Sequence, residues 1–140
     1  MPRKKTADYI GKTRLEEVRA QVEAGNPPFK LILIGIKLGG KPIDEYAPDF
    51  WPISGANGDD PFGYITSPWF SPELNTNIAM GHVPWESREI GTKLKVHLPD
   101  IYAETAGQPV DGEIVEIPFR ESINPSAREV VTADGRDAAF

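Results

Sequence analysis

Cysteine is missing from this chain, which removes disulfides, thiolate nucleophiles and thiolate-bound zinc from consideration. Long apolar runs are missing too. No stretch approaches the roughly 18 residues that a membrane-spanning helix needs, so no membrane partner is expected. Nor does the N-terminus carry an apolar segment of the secretory-signal kind. Positive charge is scarce: 15 basic residues face 21 acidic ones, for a formal net charge of −6. Nucleic-acid binding needs a basic face and is not expected. The one basic cluster, Arg3-Lys4-Lys5, reads as a solvated terminus. A cytoplasmic setting is the expectation that remains.

Chain breakers are plentiful instead. Fourteen Pro and 13 Gly in 140 residues, with 39% hydrophobic residues, suit a small β domain with many turns and an irregular tail. Residues 1–28 read as a lead-in and one helix. Ile10, Leu15, Val18 and Val22 form its narrow apolar stripe. Thr13-x-x-Glu16 has the form of a capping box, with Thr13 either at the cap or inside the first turn, and Gly25-Asn26-Pro27-Pro28 ends the helix with a C′-type glycine. Residues 29–120 read as six short strands. Phe29–Leu38 is the strongest and is apolar on both faces through Ile34, as a central barrel strand should be. Asp49–Ile53, Phe62–Thr66, Asn77–Val83, Lys93–Leu98 and Gly112–Phe119 follow. Between the third and fourth, Ser67-Pro68 opens a tight turn. Ser54–Pro61 and Asp100–Pro109 are loops. Strands separated by turn signals predict a mainly β fold, a six- to seven-stranded antiparallel barrel or distorted jelly roll. Residues 121–140 read as an irregular tail.

The candidate chemistry is sparse. His82 and His97 are the only imidazoles. His97 alternates outward with Lys93 and Lys95 and is expected to be exposed. His82 shares a strand face with Ile78 and Met80, which suits a hydrogen-bonded, half-buried side chain. Two isolated histidines without cysteine make a poor metal site, so no metal is expected. Ser67 and Ser71 lack a neighbouring histidine in sequence and read as turn hydrogen-bonders. Trp51, Phe62, Tyr64, Trp69, Phe70 and Trp85 crowd one quarter of the chain, between positions 50 and 85. They fill the barrel and its ends, or Trp69 and Phe70 stand on an exposed apolar patch that seats another domain or walls a ligand cleft. Phe119 and Arg120, at the barrel exit, are further cofactor-binding or interface candidates. No catalytic residue is expected.

Several segments carry a family resemblance. Asp8-Tyr9-Ile10-Gly11-Lys12, Leu33-Ile34-Gly35-Ile36-Lys37-Leu38, Gly63-Tyr64-Ile65-Thr66-Ser67 with Ser71-Pro72, Asn77–Pro84, Gly91-Thr92-x-Leu94 and Val115-x-Ile117-Pro118-Phe119 resemble, in order, motifs of the glycine-cleavage T-protein (aminomethyltransferase) family. They match its C-terminal barrel domain and the helix leading into it. The resemblance implies an accessory barrel of a tetrahydrofolate-dependent one-carbon transferase, inactive alone. Its catalytic carboxylate and most folate contacts would lie in preceding domains. It implies folate-binding T-protein-like domains or a subunit as partner, and a homodimer is a further possibility. Pro68 stands where the family commonly has glycine, and the loops are longer. The longer loops, with the tail that follows Phe119, look more like the family's tetrahydrofolate-dependent O-demethylase branch. A free-standing barrel that binds a small ligand or a protein is the alternative.

Overall fold

A computed structural model describes residues 6–58 and 60–119. It divides into two units, residues up to Lys30 and from Leu31 onward. In the first, helix α1 spans Lys12–Glu23. Its N-cap is Gly11 at φ 84°, with no side-chain cap. The expected capping box therefore does not form, because Thr13 lies one residue inside the helix. The C-terminus does follow the sequence signal. Gly25 adopts φ 73°, and the N–H groups of Gly25 and Asn26 donate to the carbonyls of Val22 and Gln21. These two bonds close a Schellman motif. None of the helix residues is buried.

The second unit is a closed antiparallel barrel of six strands: β1 Leu31–Leu38, β2 Trp51–Gly55, β3 Gly63–Ser71, β4 Thr76–Pro84, β5 Lys93–Val96 and β6 Val110–Val115. Their order around the barrel is β1-β4-β3-β2-β5-β6. Alternation of side chains sends one set inward. Ile34, Ile36 and Leu38, then Ile53, Ile65, Ala79, Val83, Leu94, Val96 and Ile114, make a continuous core. The loop after β5 adds Leu98 and Tyr102 to that core. Tyr102 also accepts a hydrogen bond from the Lys41 N–H through its carbonyl.

The expected turn at Ser67-Pro68 is not a turn. β3 continues through it to Ser71, and the chain reverses at Pro72–Asn75, with Asn75 at φ 49°. Ser71 Oγ accepts the Leu74 N–H at that reversal, as a turn serine should. The pairing of β3 with β4 slips between Ile65 and Ser67, and the Thr66 hydroxyl donates to the Met80 carbonyl there. After this bulge the Phe70 N–H donates to Ile43 O, away from β4. By alternation, the backbone nitrogen of Pro68 faces the same way. On that side β2 pairs only as far as Ile65. A strand tolerates proline where no ladder bond is owed, and the bulge sets that register.

The other strand limits shift by a few residues. β1 begins at Leu31 rather than Phe29, β5 ends at Val96, and the closing strand is Val110–Val115 rather than Gly112–Phe119. The second expected surprise is β1 itself. Its inner face is buried, but Leu33 on the outer face is 45% exposed. The apolar run is thus not explained by burial on both sides.

Candidate interaction face

The barrel wall has two unlike outer surfaces. Over β5 and β6, Lys93 bonds Glu113, and Lys95 Nζ lies 2.6 Å from Asp111 Oδ1. These cross-strand pairs mark a solvated surface. Over β3, β4 and β1 the outward positions are Tyr64, Ser67 and Trp69, then Ile78, Met80 and His82, then Leu33 and Gly35. The register couples Tyr64 with His82, Trp69 with Ile78, and Leu33 with His82. Phe50 stacks on Tyr64 at 5.2 Å between ring centroids, and Tyr64 lies 5.3 Å from the His82 ring. Trp69 is 50% exposed and Phe50 65%. Rings and aliphatic chains thus form one surface that water covers poorly.

Tight backbone approach flattens this surface. A Cβ on Gly63 would stand 2.4 Å from the His82 carbonyl oxygen, so only glycine fits where β3 meets β4. Gly35 plays a related part on β1. A Cβ there would lie 2.8 Å from Ile117 Cγ1 and 2.9 Å from Phe119 Cε1.

The residues singled out from sequence fall in three places. Trp69 projects outward from β3. Phe70 points to the other side and is half-buried, its N–H bonded to Ile43 O. Phe119 folds over Gly35, and Arg120 lies outside the described residues. The structure therefore brings Trp69 and Phe119 onto outer surfaces but gives them no common site with Phe70.

The histidines differ from expectation. His97 is half-buried, and its Nε2 lies 3.0 Å from Ser54 Oγ. A Ser–His pair was not legible in sequence, because 43 residues separate the two. Ser54 is 0% exposed, so no substrate reaches its oxygen. The contact satisfies a buried hydroxyl rather than activating it. His82 was expected to be hydrogen-bonded, yet its Nδ1 is buried without a partner among the described residues.

Comparison with known proteins agrees with this geometry. The family model for the glycine cleavage T-protein C-terminal barrel domain matches residues 33–120. The chain belongs to that family. Relatives include an aminomethyltransferase of Symbiobacterium thermophilum, 31% identical over 119 residues that make up 85% of this chain and 27% of that protein. Another, from Synechococcus sp. (strain CC9902), is 32% identical over 113 residues, 81% of this chain and 26% of the relative. The crystal structure of glycine cleavage system aminomethyltransferase T from Bartonella henselae superposes with a TM-score of 0.53 at 22% identity. It covers 74% of this chain and 25% of that one, and the likeness shows the fold. This T-protein barrel thus spans about a quarter of the length of the relatives it matches.

Proposed function

We propose that this barrel is the accessory C-terminal domain of a tetrahydrofolate-dependent aminomethyltransferase, which packs on the folate-binding domains, closes their cleft and is inactive alone. The observation that carries the reading is the one-sided outer wall. Trp69, Phe50 and Leu33 lie exposed over β3, β4 and β1, while the β5–β6 wall carries ion pairs. A monomer has no use for so large an apolar face, whereas a domain seated on its neighbours does.

The same face limits what the barrel does for tetrahydrofolate. Its rings suit one side of a flat aromatic ligand, but they form a single open wall. Small-molecule sites bury about 70–90% of their ligand, so the opposite wall belongs to another domain. The described residues therefore do not make a complete folate site, and no chemical step is assigned to them. The relation to aminomethyltransferases favours aminomethyl transfer over the O-demethylase alternative, because each relative named above carries the former activity in its name.

Calorimetric titration of tetrahydrofolate into the chain alone tests the reading. The expected result is no saturable binding in the micromolar range. Micromolar affinity for the isolated barrel would overturn it, since it would show a complete pocket here.

A further inference from the structure

The barrel is closed along only half of β1. β6 stops at Val115, opposite Gly35, whereas β1 runs back to Leu31 with β4 beside it all the way. The Gly39 N–H donates to Asp111 O. Antiparallel alternation then directs the backbone groups of Lys37, Gly35, Leu33 and Leu31 toward the β6 side. Among the described residues, no strand lies opposite Leu31 and Leu33 there. Their N–H and C=O groups form a short free edge inside an otherwise closed wall.

A groove follows that edge. It has a volume of about 350 Å³ and is lined by Leu33, Ile34, Ile90, Ile117, Arg88 and Glu116 among others. Ile90 and Ile117 are exposed. Arg88 is already engaged, with Nη1 2.7 Å from the Trp85 carbonyl and its guanidinium 3.6 Å from the Trp85 ring centroid. The groove therefore offers a row of backbone donors and acceptors beside apolar walls, with the exposed carboxylates of Glu89 and Glu116 at its margin.

We infer that this groove receives an extended peptide segment from the folate-binding part of the T-protein, added to β1 as an extra strand beside Leu31 and Leu33. The inference rests on the accessory-domain reading and adds where, and by what chemistry, the partner is held. Free ladder groups are matched by another extended backbone and not by a helix. The site is concave, so a single thread enters it more readily than the same edge of a second barrel, which brings its own walls. The source is argued from length: about three quarters of each matched aminomethyltransferase has no counterpart in this chain. The incoming segment should place an apolar side chain beside Ile90 and Ile117 and keep proline out of the bonded positions.

The test uses the ¹⁵N-labelled full chain and short overlapping peptides. The peptides tile the part of Symbiobacterium thermophilum aminomethyltransferase outside the matched region. At least one peptide should slow hydrogen exchange at the Leu31 and Leu33 amides by about tenfold or more. Leu33→Pro removes an N–H that β4 does not use, and should abolish that protection while leaving Ile36 and Gly81 exchange unchanged. Should Leu33→Pro fail to fold, Ile90→Glu on the facing wall, outside every strand, should give the same loss. Protection by no peptide would overturn the inference, and so would equal protection in the variants. Protection that rises with the chain's own concentration would assign the groove to a second copy and overturn it too. None of these failures touches the tetrahydrofolate titration, so the two readings fall separately.

Discussion

At the scale of single residues, Asn77 decides more than its appearance suggests. It is almost fully buried on β4. Its Oδ1 accepts the Ile43 N–H, and its Nδ2 donates to the carbonyls of Gly39 and Lys41 at 3.1 and 2.9 Å. One side chain thereby pins the whole turn after β1. Asn77→Ala leaves the buried Ile43 N–H and two part-buried carbonyls without their partner and should cost about 2 kcal/mol. Asn77→Asp should cost more, because it sets a carboxylate against two carbonyls. Urea unfolding midpoints check both, and a loss below about 1 kcal/mol in the alanine variant would mean that water replaces the amide. Sequence hid this residue. Asn77 reads as strand polarity, and its partners sit 34 to 38 positions away. The Ser54–His97 contact was hidden for the same reason. By contrast, alternation sufficed to place His82 on one strand face with Ile78 and Met80.

At the scale of elements, periodicity located all six strands but not their order around the barrel. It failed where a strand's limits depend on its neighbours. Pro68 reads as a breaker, yet β3 carries it because β2 has already left that edge. The apolar run of β1 reads as two-sided burial, yet its outer half is exposed. Both errors come from tertiary context that no local pattern records. The β5–β6 hairpin shows the opposite case, in which sequence alternation and cross-strand pairing agree. There the Lys95 hydrogen bond and charge, with a smaller contribution from Lys93, hold the Asp111 carboxyl below its ordinary 3.8, against the opposing effect of desolvation. A carboxyl lowered in the folded state adds stability above 3.8, and that contribution fades as pH falls through the folded value. Asp111→Asn should therefore be less stable than the parent at neutral pH, and the two should converge in acid. Salt should shrink the difference, since both partners reach solvent. Unfolding midpoints measured against pH at low and high salt read this out; a gap that widened in acid would contradict the pairing.

For the whole molecule, the question is why a stable barrel leaves its rings outside. The core is complete without them: Ile36, Ile53, Ile65, Leu94 and Ile114 are fully buried and close the interior. Trp51 belongs to that interior and packs near Tyr102 at 6.0 Å, while Trp69 stands outside it. Two tryptophans on neighbouring strands thus serve different masters, one folding and one association. Trp51→Phe should lower the thermal midpoint by several degrees, as shrinking a packed core does. Trp69→Gln should leave it within about 2 °C, because an exposed ring contributes little to folding. Acrylamide quenching should find Trp69 accessible in the chain alone, and the quenchable share of emission should drop in the Trp69→Gln variant. If instead Trp69→Gln unfolds the barrel, or Trp69 proves shielded in the dilute chain, the outer wall is part of the domain's own packing. The association surface would then have to be sought elsewhere on the barrel.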